Sequence, residues 1–335
     1  MTVKTRKSQS CDYKRITVKS AKKPYVRKKS FDLYNLKYLP PVNKDLAIGL
    51  VYFNAAKSKR LLMNYLYAAE KFKISNIPFY TVEMYETTPE IADAIHLKTD
   101  FTLFQKERLC HVLEKHIPKS FTKLLFIDSD LIFENPNWYN ELSEKLNNFE
   151  VVQPFSKGVW LDITYKKIVK ERIPIIFYNK LGKISMSGGI GGYHPGFAWA
   201  FQRNWFKKVG FFQQAVLGDG DSISSTIWLD YPDFEYRDFI KGAVADFKKS
   251  MVEKPSICFL NGALFHLWHG DQKKRQYSER RNIFKLIKDI RDVIRIADNG
   301  LYELTNESLK PKIRKYFANR DDDGLAMPEN SYYFF

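Results

Sequence analysis

The sequence is poor in cysteine and has no long apolar segment. Its three cysteines, Cys11, Cys110 and Cys258, are an odd number without CxxC spacing, which predicts neither a disulfide framework nor a zinc site. Such cysteine usage favours a reducing compartment, so we expect a cytoplasmic protein. No run approaches about 18 apolar residues and no signal peptide is recognisable, so we expect no transmembrane span and at most peripheral membrane contact.

Acidic residues are nearly absent from the beginning of the chain. Lys and Arg number 54 against 38 Asp and Glu, a formal net charge of +16. Residues 1–30 hold eleven of the basic residues and a single acid, Asp12. We therefore predict that residues 1–44 form a basic disordered arm and linker. The arm either contacts an anionic surface, such as lipid or nucleic acid, or serves only as a solubilising tail.

Apolar patterns after residue 44 predict alternating strands and helices. Residues 45–53 are a nearly continuous apolar run, typical of a strand covered on both faces. Residues 58–73 have helical spacing, with Ser58 as a possible N-cap. Further strands are predicted at 77–84 and 124–127 and within 255–265, further helices at 104–117, from Pro136, at 222–229 and at 278–297, and a loose polar tail from about 319.

This alternation predicts an α/β fold with a mostly parallel sheet flanked by helices. Ligands of such sheets bind beyond the carboxyl ends of the strands. We therefore expect Phe53, Asn54, Glu83 and the 128–130 turn to lie at one edge of the sheet.

Two carboxylates, Asp128 and Asp130, follow the predicted strand at 124–127. Residues i and i+2 of an extended chain point the same way, so this pair can hold Mg²⁺ or Mn²⁺ and, through the metal, a diphosphate. The small Ser129 lets the turn approach a ligand. The alternative is an ordinary turn in which both aspartates make local hydrogen bonds.

A second polar cluster, residues 266–281, follows the last apolar strand. His266 and His269 are candidate Mn²⁺ ligands, and Lys273 and Arg275 can pair with phosphate oxygens. A metal and a cation on one phosphate group would stabilise a departing nucleoside diphosphate. The alternative is a polar loop before a solvated basic helix.

The glycine-rich segment 188–200 does not open a helix after a strand, so a dinucleotide-binding fingerprint is not favoured. We interpret it as a flexible loop over a sugar site, with His194 and Trp199 on the acceptor side. A plain region of tight turns is the alternative.

The Gly-Asp-Gly-Asp segment 218–221 precedes a predicted helix. A carboxylate at this position can act as a general base, and Asp221 is our first candidate, with Asp219 the second. Helix capping by Asp221 is the alternative.

In their order along the chain, these segments resemble the DxD-containing GT-A glycosyltransferases of bacterial, phage and large-DNA-virus type. The matching elements are Tyr52-Phe53-Asn54, Val82-Glu83, Gln105–Leu109, Asp128–Asp130, Gly196–Ala200 with Arg203, Gly218–Asp221, and His269-Gly270 with Arg275, Tyr277 and Arg280. The family usually continues its helix motif with Asn, whereas this chain has Cys110-His111. The resemblance spans roughly residues 46–285.

The resemblance implies a GT-A fold, a UDP- or GDP-sugar donor and Mn²⁺ or Mg²⁺. It implies Asp130 as the main metal ligand, Asp128 nearer the ribose or sugar, and His266 or His269 as a further ligand. Spacing does not decide between the two histidines, and we take His269 first. The nucleotide pocket would be lined by Phe53, Asn54, Glu83, Gln105 and Lys106, with Ser129, Lys273 and Arg275 completing the donor site.

The resulting domain division has a nucleotide-sugar half at 45–160 and a smaller mixed half for acceptor, metal and diphosphate at 161–285. A C-terminal helix and tail follow at 286–335. For a viral source, the expected compartment is the host cytoplasm.

The hypothesis is therefore transfer of a sugar, from a UDP-sugar in preference, to a hydroxyl of a glycan or glycoprotein acceptor. Asp221 as the base implies inversion at the anomeric carbon, and a retaining route stays open if neither aspartate is the base. The alternatives are a nucleic-acid-binding protein that uses the basic arm and a metal-dependent phosphoryl-transfer or hydrolytic enzyme.

Overall fold

The computed structural model describes residues 32–180, 192–231, 234–270, 280 and 282–323. Within them, the first predicted strand and helix are confirmed as β1 (Leu46–Tyr52) and α1 (Lys59–Ile74). Ser58 is the N-cap of α1, and its side chain accepts a hydrogen bond from the Leu61 amide. Every residue of β1 is buried, as its continuous apolar run requires.

The central sheet is built from β1 and six further strands. These are β2 (Phe79–Tyr85), β3 (Ile95–Lys98), β4 (Lys123–Asp128), β6 (Val151–Gln153), β10 (Ala198–Gln202) and β11 (Ile257–Phe259). The strand order is β11-β6-β10-β4-β1-β2-β3. Neighbouring strands are parallel except around β10, which runs antiparallel to both β4 and β6. The predicted α/β class with a mostly parallel sheet is confirmed.

Helices cover both faces of this sheet because alternate residues of β1 point to opposite sides. Ala47 and Val51 pack into one core cluster with residues of α2 (Lys106–His116). Ile48 and Leu50 pack into the other cluster with residues of α1 and α3 (Trp138–Lys145). Further helices are α4 (Arg203–Lys208), α5 (Gly220–Trp228), α6 (Asp238–Ser250) and α7 (Lys310–Ala318).

A second, five-stranded sheet brings distant parts of the sequence together. Its strands are β5 (Leu131–Phe133), β7 (Lys157–Leu161), β8 (Ile168–Pro174), β9 (Tyr193–His194) and β12 (Ala263–His266), in the order β5-β12-β7-β8-β9. The chain passes from β4 in the central sheet to β5 in the second through Ser129 and Asp130. In the register of β5 with β12, His266 lies opposite Leu131, so the end of β12 lies beside this crossing.

Two strands, β11 and β12, replace the single strand predicted within 255–265. The chain turns at Gly262, whose φ of +128° favours glycine, and the two strands join different sheets.

The helix predicted at 278–297 is helical at residues 280 and 282, but the prediction is wrong from about residue 290 onward. A short 3₁₀ turn, Ile290–Asp292, leads into β13 (Ile294–Ile296), which pairs with β14 (Tyr302–Leu304). The side chain of Asp289 accepts a hydrogen bond from the Arg291 amide. This local bond and the strand pairing override the helical spacing of the apolar residues.

The tail predicted to be loose from about residue 319 is held in place as far as Asp323. Asp322 is 3% exposed. Asp323 accepts hydrogen bonds from the Ser58 hydroxyl at 2.6 Å and the Arg60 amide at 2.9 Å, at the start of α1. The prediction was wrong here because Ser58 and Arg60, the partners of Asp323, lie far away in sequence.

The cysteines only partly follow the prediction. Cys110 is a buried free thiol, whereas Cys258 is disulfide-bonded. The expectation of no disulfide is therefore wrong at Cys258, and cysteine usage no longer favours a reducing compartment. In the described part of the chain, every helix is too short or too polar to cross a membrane.

Candidate functional site

A cavity of about 370 Å³ opens at the carboxyl edge of the central sheet. This volume lies within the range of about 300–1,000 Å³ that is typical of small-molecule sites. Ten of the residues predicted for the site line it, namely Phe53, Lys106, Asp128, Ser129, Asp130, His194, Asp219, Asp221, His266 and His269. Residues from both predicted halves of the chain therefore meet in one cavity.

Asp130, His266 and His269 form a compact cluster of metal-ligating groups. One ligand atom from each lies within 4.8 Å of the others, and all three residues are buried. The Asp130 Oδ2 atom is 3.4 Å from His266 Nε2 and 2.9 Å from His269 Nε2. Two imidazole nitrogens and a carboxylate oxygen are a donor set for first-row divalent metals, a class that includes Mn²⁺. The residues present therefore fit the implied metal, and the structure brings both candidate histidines to it.

Lys106 joins the carboxylates of two distant segments. Its Nζ atom is 3.0 Å from Asp128 Oδ1 and 3.5 Å from Asp221 Oδ2. Burial alone would lower the pKa of Lys106, but the carboxylates around it raise that pKa well above its ordinary value. Lys106 therefore carries its positive charge throughout the physiological range.

Burial also perturbs the carboxyl groups beside Lys106. It raises the pKa of Asp128 to about 6, with the charge of Lys106 opposing the change. It raises the pKa of Glu107 from 4.5 to about 7. The Oε2 atom of Glu107 has no hydrogen-bond partner among the described residues. Titratable groups with strongly shifted pKa values in a cavity are typical of functional sites.

Asp219 is held as a structural ion pair at the start of α5. Its two carboxylate oxygens each accept a hydrogen bond at 2.9 Å, one from Arg237 and one from Arg280. Its φ of +74° places it in the left-handed region, and its side chain makes no capping hydrogen bond. Asp221 has no such arginine partner among the described residues, and its Oδ2 atom lies 3.5 Å from Lys106 Nζ.

An aromatic wall closes the side of the cavity next to the second sheet. The centroid of the His194 ring lies 4.0 Å from the centroid of the Phe197 ring and 4.8 Å from that of the Trp160 ring. Burial lowers the pKa of His194 well below its ordinary value, so its imidazole is neutral. Lys170 lies 4.6 Å over the Trp160 ring on the same side.

Two predicted nucleotide-pocket residues do not line the cavity, because loop backbone occupies their polar groups. Asn54 is buried, accepts a hydrogen bond from the Ser58 amide and donates one to the Ser58 carbonyl. Glu83 is 2% exposed and accepts hydrogen bonds from the amides of Glu90 and Ile91. Both residues fix the loops at the strand ends through these hydrogen bonds.

Gln105 and Trp199 also lie away from the cavity. Gln105 is fully buried and exchanges two hydrogen bonds with the Tyr302 backbone. Trp199 packs against Trp228 and donates from its indole nitrogen to the Pro195 carbonyl. The predicted phosphate-binding residues Lys273 and Arg275 lie outside the described residues.

The cavity also contains residues that were not predicted for it. They are chiefly Phe104, Glu107 and Trp160, together with Arg320 and Asp322 from the C-terminal segment. Glu107 stands next to Lys106 in the sequence motif, and this position could have identified it. No local pattern places Asp322 in the site, because His269, the site residue that it contacts, lies far away in sequence.

No family model matches this sequence, and no curated protein matches it. Among solved structures, it is similar to a mutant beta1,4galactosyltransferase 7 of Drosophila in complex with manganese, UDP-Gal and xylobiose. That match has 11% identity and a TM-score of 0.39, and covers 82% of this chain and 98% of that one.

The chain is also similar to glucosyl-3-phosphoglycerate synthase of Mycobacterium tuberculosis in complex with Mg²⁺ and UDP. There the identity is 13% and the TM-score 0.37, with 73% of this chain and 84% of that one covered. At these identities and TM-scores, the likeness carries no argument about the function of this chain.

Proposed function

We propose that this chain is a metal-dependent glycosyltransferase of the GT-A type, which transfers a sugar from a nucleotide-sugar donor to an acceptor hydroxyl. The observation that carries the proposal is the meeting of Asp130, His266 and His269 with Asp128 and Asp221 in one cavity. The donor is a UDP- or GDP-sugar, with UDP favoured, and the acceptor is a glycan or glycoprotein.

In this proposal, Asp130, His266 and His269 hold Mn²⁺ or Mg²⁺. When bound, the ion offsets the negative charge that develops on the departing nucleoside diphosphate. Asp128 lies nearer the ribose or sugar, and Lys106 holds its carboxylate in place at 3.0 Å. The small Ser129 between the two aspartates leaves room for the donor.

Asp221 is proposed as the general base. Its carboxylate lines the cavity at the start of α5 and faces Lys106, and Gly196 lies directly against it. A side chain on Gly196 would collide with Asp221 Oδ2, so glycine leaves the carboxylate accessible. Asp219 is the weaker candidate because two arginines occupy its oxygens. A carboxylate base that deprotonates the acceptor gives inversion at the anomeric carbon.

The aromatic wall is proposed to bind the acceptor. Trp160, Phe197 and the neutral His194 offer flat apolar surfaces of the kind on which sugar rings pack. Phe53 and Phe104, which contact each other edge to face at 5.0 Å, are proposed to flank the nucleotide at the opposite end of the cavity.

Thermal unfolding in the presence of nucleotide sugars tests the donor and the metal together. A true donor should raise the melting temperature only when Mn²⁺ is present, because binding to the folded state alone stabilises it. Asp130→Ala should abolish this shift, while the exposed Asp298→Ala should preserve it. If no UDP- or GDP-sugar shifts the melting temperature with Mn²⁺, the proposal fails.

Sugar transfer by Asp221→Asn and Asp219→Asn distinguishes the two candidate bases. Asp221→Asn should lower kcat by about a hundredfold or more while still binding the donor, as expected when a general base is removed. Asp219→Asn should lower the stability of the protein, because Arg237 and Arg280 would lose the carboxylate to which they donate. Equal kcat for Asp221→Asn and the unmodified protein would remove Asp221 from the mechanism and reopen a retaining route.

The described residues add no support to the two alternatives. The basic arm on which nucleic-acid binding depends lies largely outside them. The lining of the described cavity includes two serines, Ser129 and Ser222, but no threonine or cysteine.

A further inference from the structure

The loop that carries His269 is fixed by its backbone on two sides. The Leu267 amide donates to the Asp130 carbonyl at 2.9 Å, and Asn64 of α1 donates to the Trp268 carbonyl at 3.2 Å. The guanidinium of Arg60 lies 5.3 Å over the Trp268 ring. These contacts place the loop, but none of them determines how the imidazole of His269 is turned.

The orientation of that imidazole follows from two carboxylates at its opposite nitrogens. His269 Nε2 lies 2.9 Å from Asp130 Oδ2, and His269 Nδ1 lies 3.5 Å from Asp322 Oδ1. The side chains of His269 and Asp322 are 7% and 2% exposed, so water competes little with their contact. A proton on Nδ1, the nitrogen that lies next to Asp322, would leave the Nε2 lone pair on the Asp130 side, where a metal would lie.

Asp322 is itself held rigidly. Arg320 donates to both carboxylate oxygens of Asp322 at 2.9 Å, so the two residues form a bidentate ion pair. The backbone next to it packs directly on the histidine loop, since a side chain at Gly270 would collide with the Asp321 carbonyl. Asp323 caps the first turn of α1. The C-terminal segment therefore has a defined position against the site.

We propose that Asp322 is a positioning residue, which orients His269 for a divalent metal held with Asp130 and His266. This inference rests on the proposed function, because it assumes that the cluster binds a metal. Removing a carboxylate that orients a metal-binding histidine typically weakens metal affinity by about 10- to 100-fold.

Mn²⁺ binding to the full chain, measured by calorimetry without any donor, tests the proposal. We expect Asp322→Asn to raise the Kd for Mn²⁺ by at least about tenfold. Co²⁺ in place of Mn²⁺ should give a visible spectrum that differs between the two proteins, because the His269 ligand is turned differently. A double variant, Arg320→Gln with Asp322→Asn, removes both charges together and should show the same loss if the single variant folds poorly.

Asp323→Asn is the matched control, one residue further along the chain. It weakens the cap of α1 and should lower the melting temperature, but its carboxylate does not face His269, so the Kd for Mn²⁺ should stay unchanged. Combining Asp322→Asn with His269→Ala should cost no more affinity than His269→Ala alone, because Asp322 acts through that imidazole.

The outcomes separate this inference from the proposed function. If the unmodified chain binds no Mn²⁺, the metal site and the proposed function both fail. If it binds Mn²⁺ and Asp322→Asn binds equally well, with an unchanged Co²⁺ spectrum, the positioning role of Asp322 is refuted while the metal site stands. Equal losses in Asp322→Asn and Asp323→Asn would show a merely structural role for the segment.

Discussion

Replacing Glu107 by glutamine tests whether the buried carboxyl cluster beside Lys106 governs how stability depends on pH. Glu107 is 2% exposed, and burial raises its pKa from 4.5 to about 7. In the unfolded chain the carboxyl ionises near the ordinary value, while in the folded protein it stays protonated over a further interval of pH. Glutamine has nearly the same shape and does not ionise.

The magnitude follows from the two pKa values. The protonated carboxyl contributes its full stabilisation below pH 4.5, and this contribution is lost as the pH rises through about 7. The difference between the two pKa values corresponds to a loss of about 3 kcal/mol of unfolding free energy at pH 8, compared with pH values below 4.5. We therefore expect the stability of Glu107→Gln relative to the unmodified protein to improve by up to about 3 kcal/mol between pH 4.5 and 8.

Urea denaturation at closely spaced pH values over this range measures the effect. Glu253→Gln, at an exposed position, serves as the control and should parallel the unmodified protein at every pH. If the free-energy difference between Glu107→Gln and the unmodified protein does not change with pH, the raised pKa of Glu107 is refuted.

Three other changes have definite expected outcomes. Arg203→Met should lower the unfolding free energy by about 3–5 kcal/mol, because the buried guanidinium donates to one carboxylate and four backbone carbonyls. A loss below about 1 kcal/mol, measured by urea denaturation, would contradict this expectation. Gly270→Ala should weaken Mn²⁺ binding in calorimetry, since its φ is +79° and the new methyl group meets the Asp321 carbonyl; unchanged affinity would show that the loop adapts. Gln105→Leu should lower the unfolding free energy by about 1–3 kcal/mol, because the Tyr302 backbone loses two hydrogen bonds, and it should leave the affinity for UDP unchanged. A weaker affinity for UDP would show that Gln105 belongs to the donor site.

Local patterns were enough to predict the elements whose stability is local. The apolar run of β1 is buried from end to end, and Ser58 caps α1 through a hydrogen bond three residues away. The DxD aspartates lie where the apolar run of β4 ends. Such features depend on neighbours in sequence, so periodicity and capping rules suffice for them.

Features created by long-range pairing could not be predicted in the same way. Asn54 and Glu83 were expected in the nucleotide pocket, but the loops that absorb their hydrogen bonds are specified elsewhere in the chain. The segment around Ile294 has helical spacing and becomes a strand because β14 offers it a partner. The sequence pattern identified His269 as a candidate ligand, but it carries no signal for the contact of His269 with Asp322, because the two residues are distant in sequence.

The contact between Asp323 and Ser58 has a consequence for how the molecule is made. The two residues are 265 positions apart, so their contact closes one of the longest loops in the chain. Contacts of this separation form late in folding, because the entropy of loop closure opposes them until the intervening structure exists. During synthesis, the chain up to Gly270 already holds Asp130, His266 and His269, but lacks the carboxylate that turns His269. Under the proposed role of Asp322, a nascent chain at that stage would bind a divalent ion loosely, and tight metal binding would mark a protein whose folding is complete.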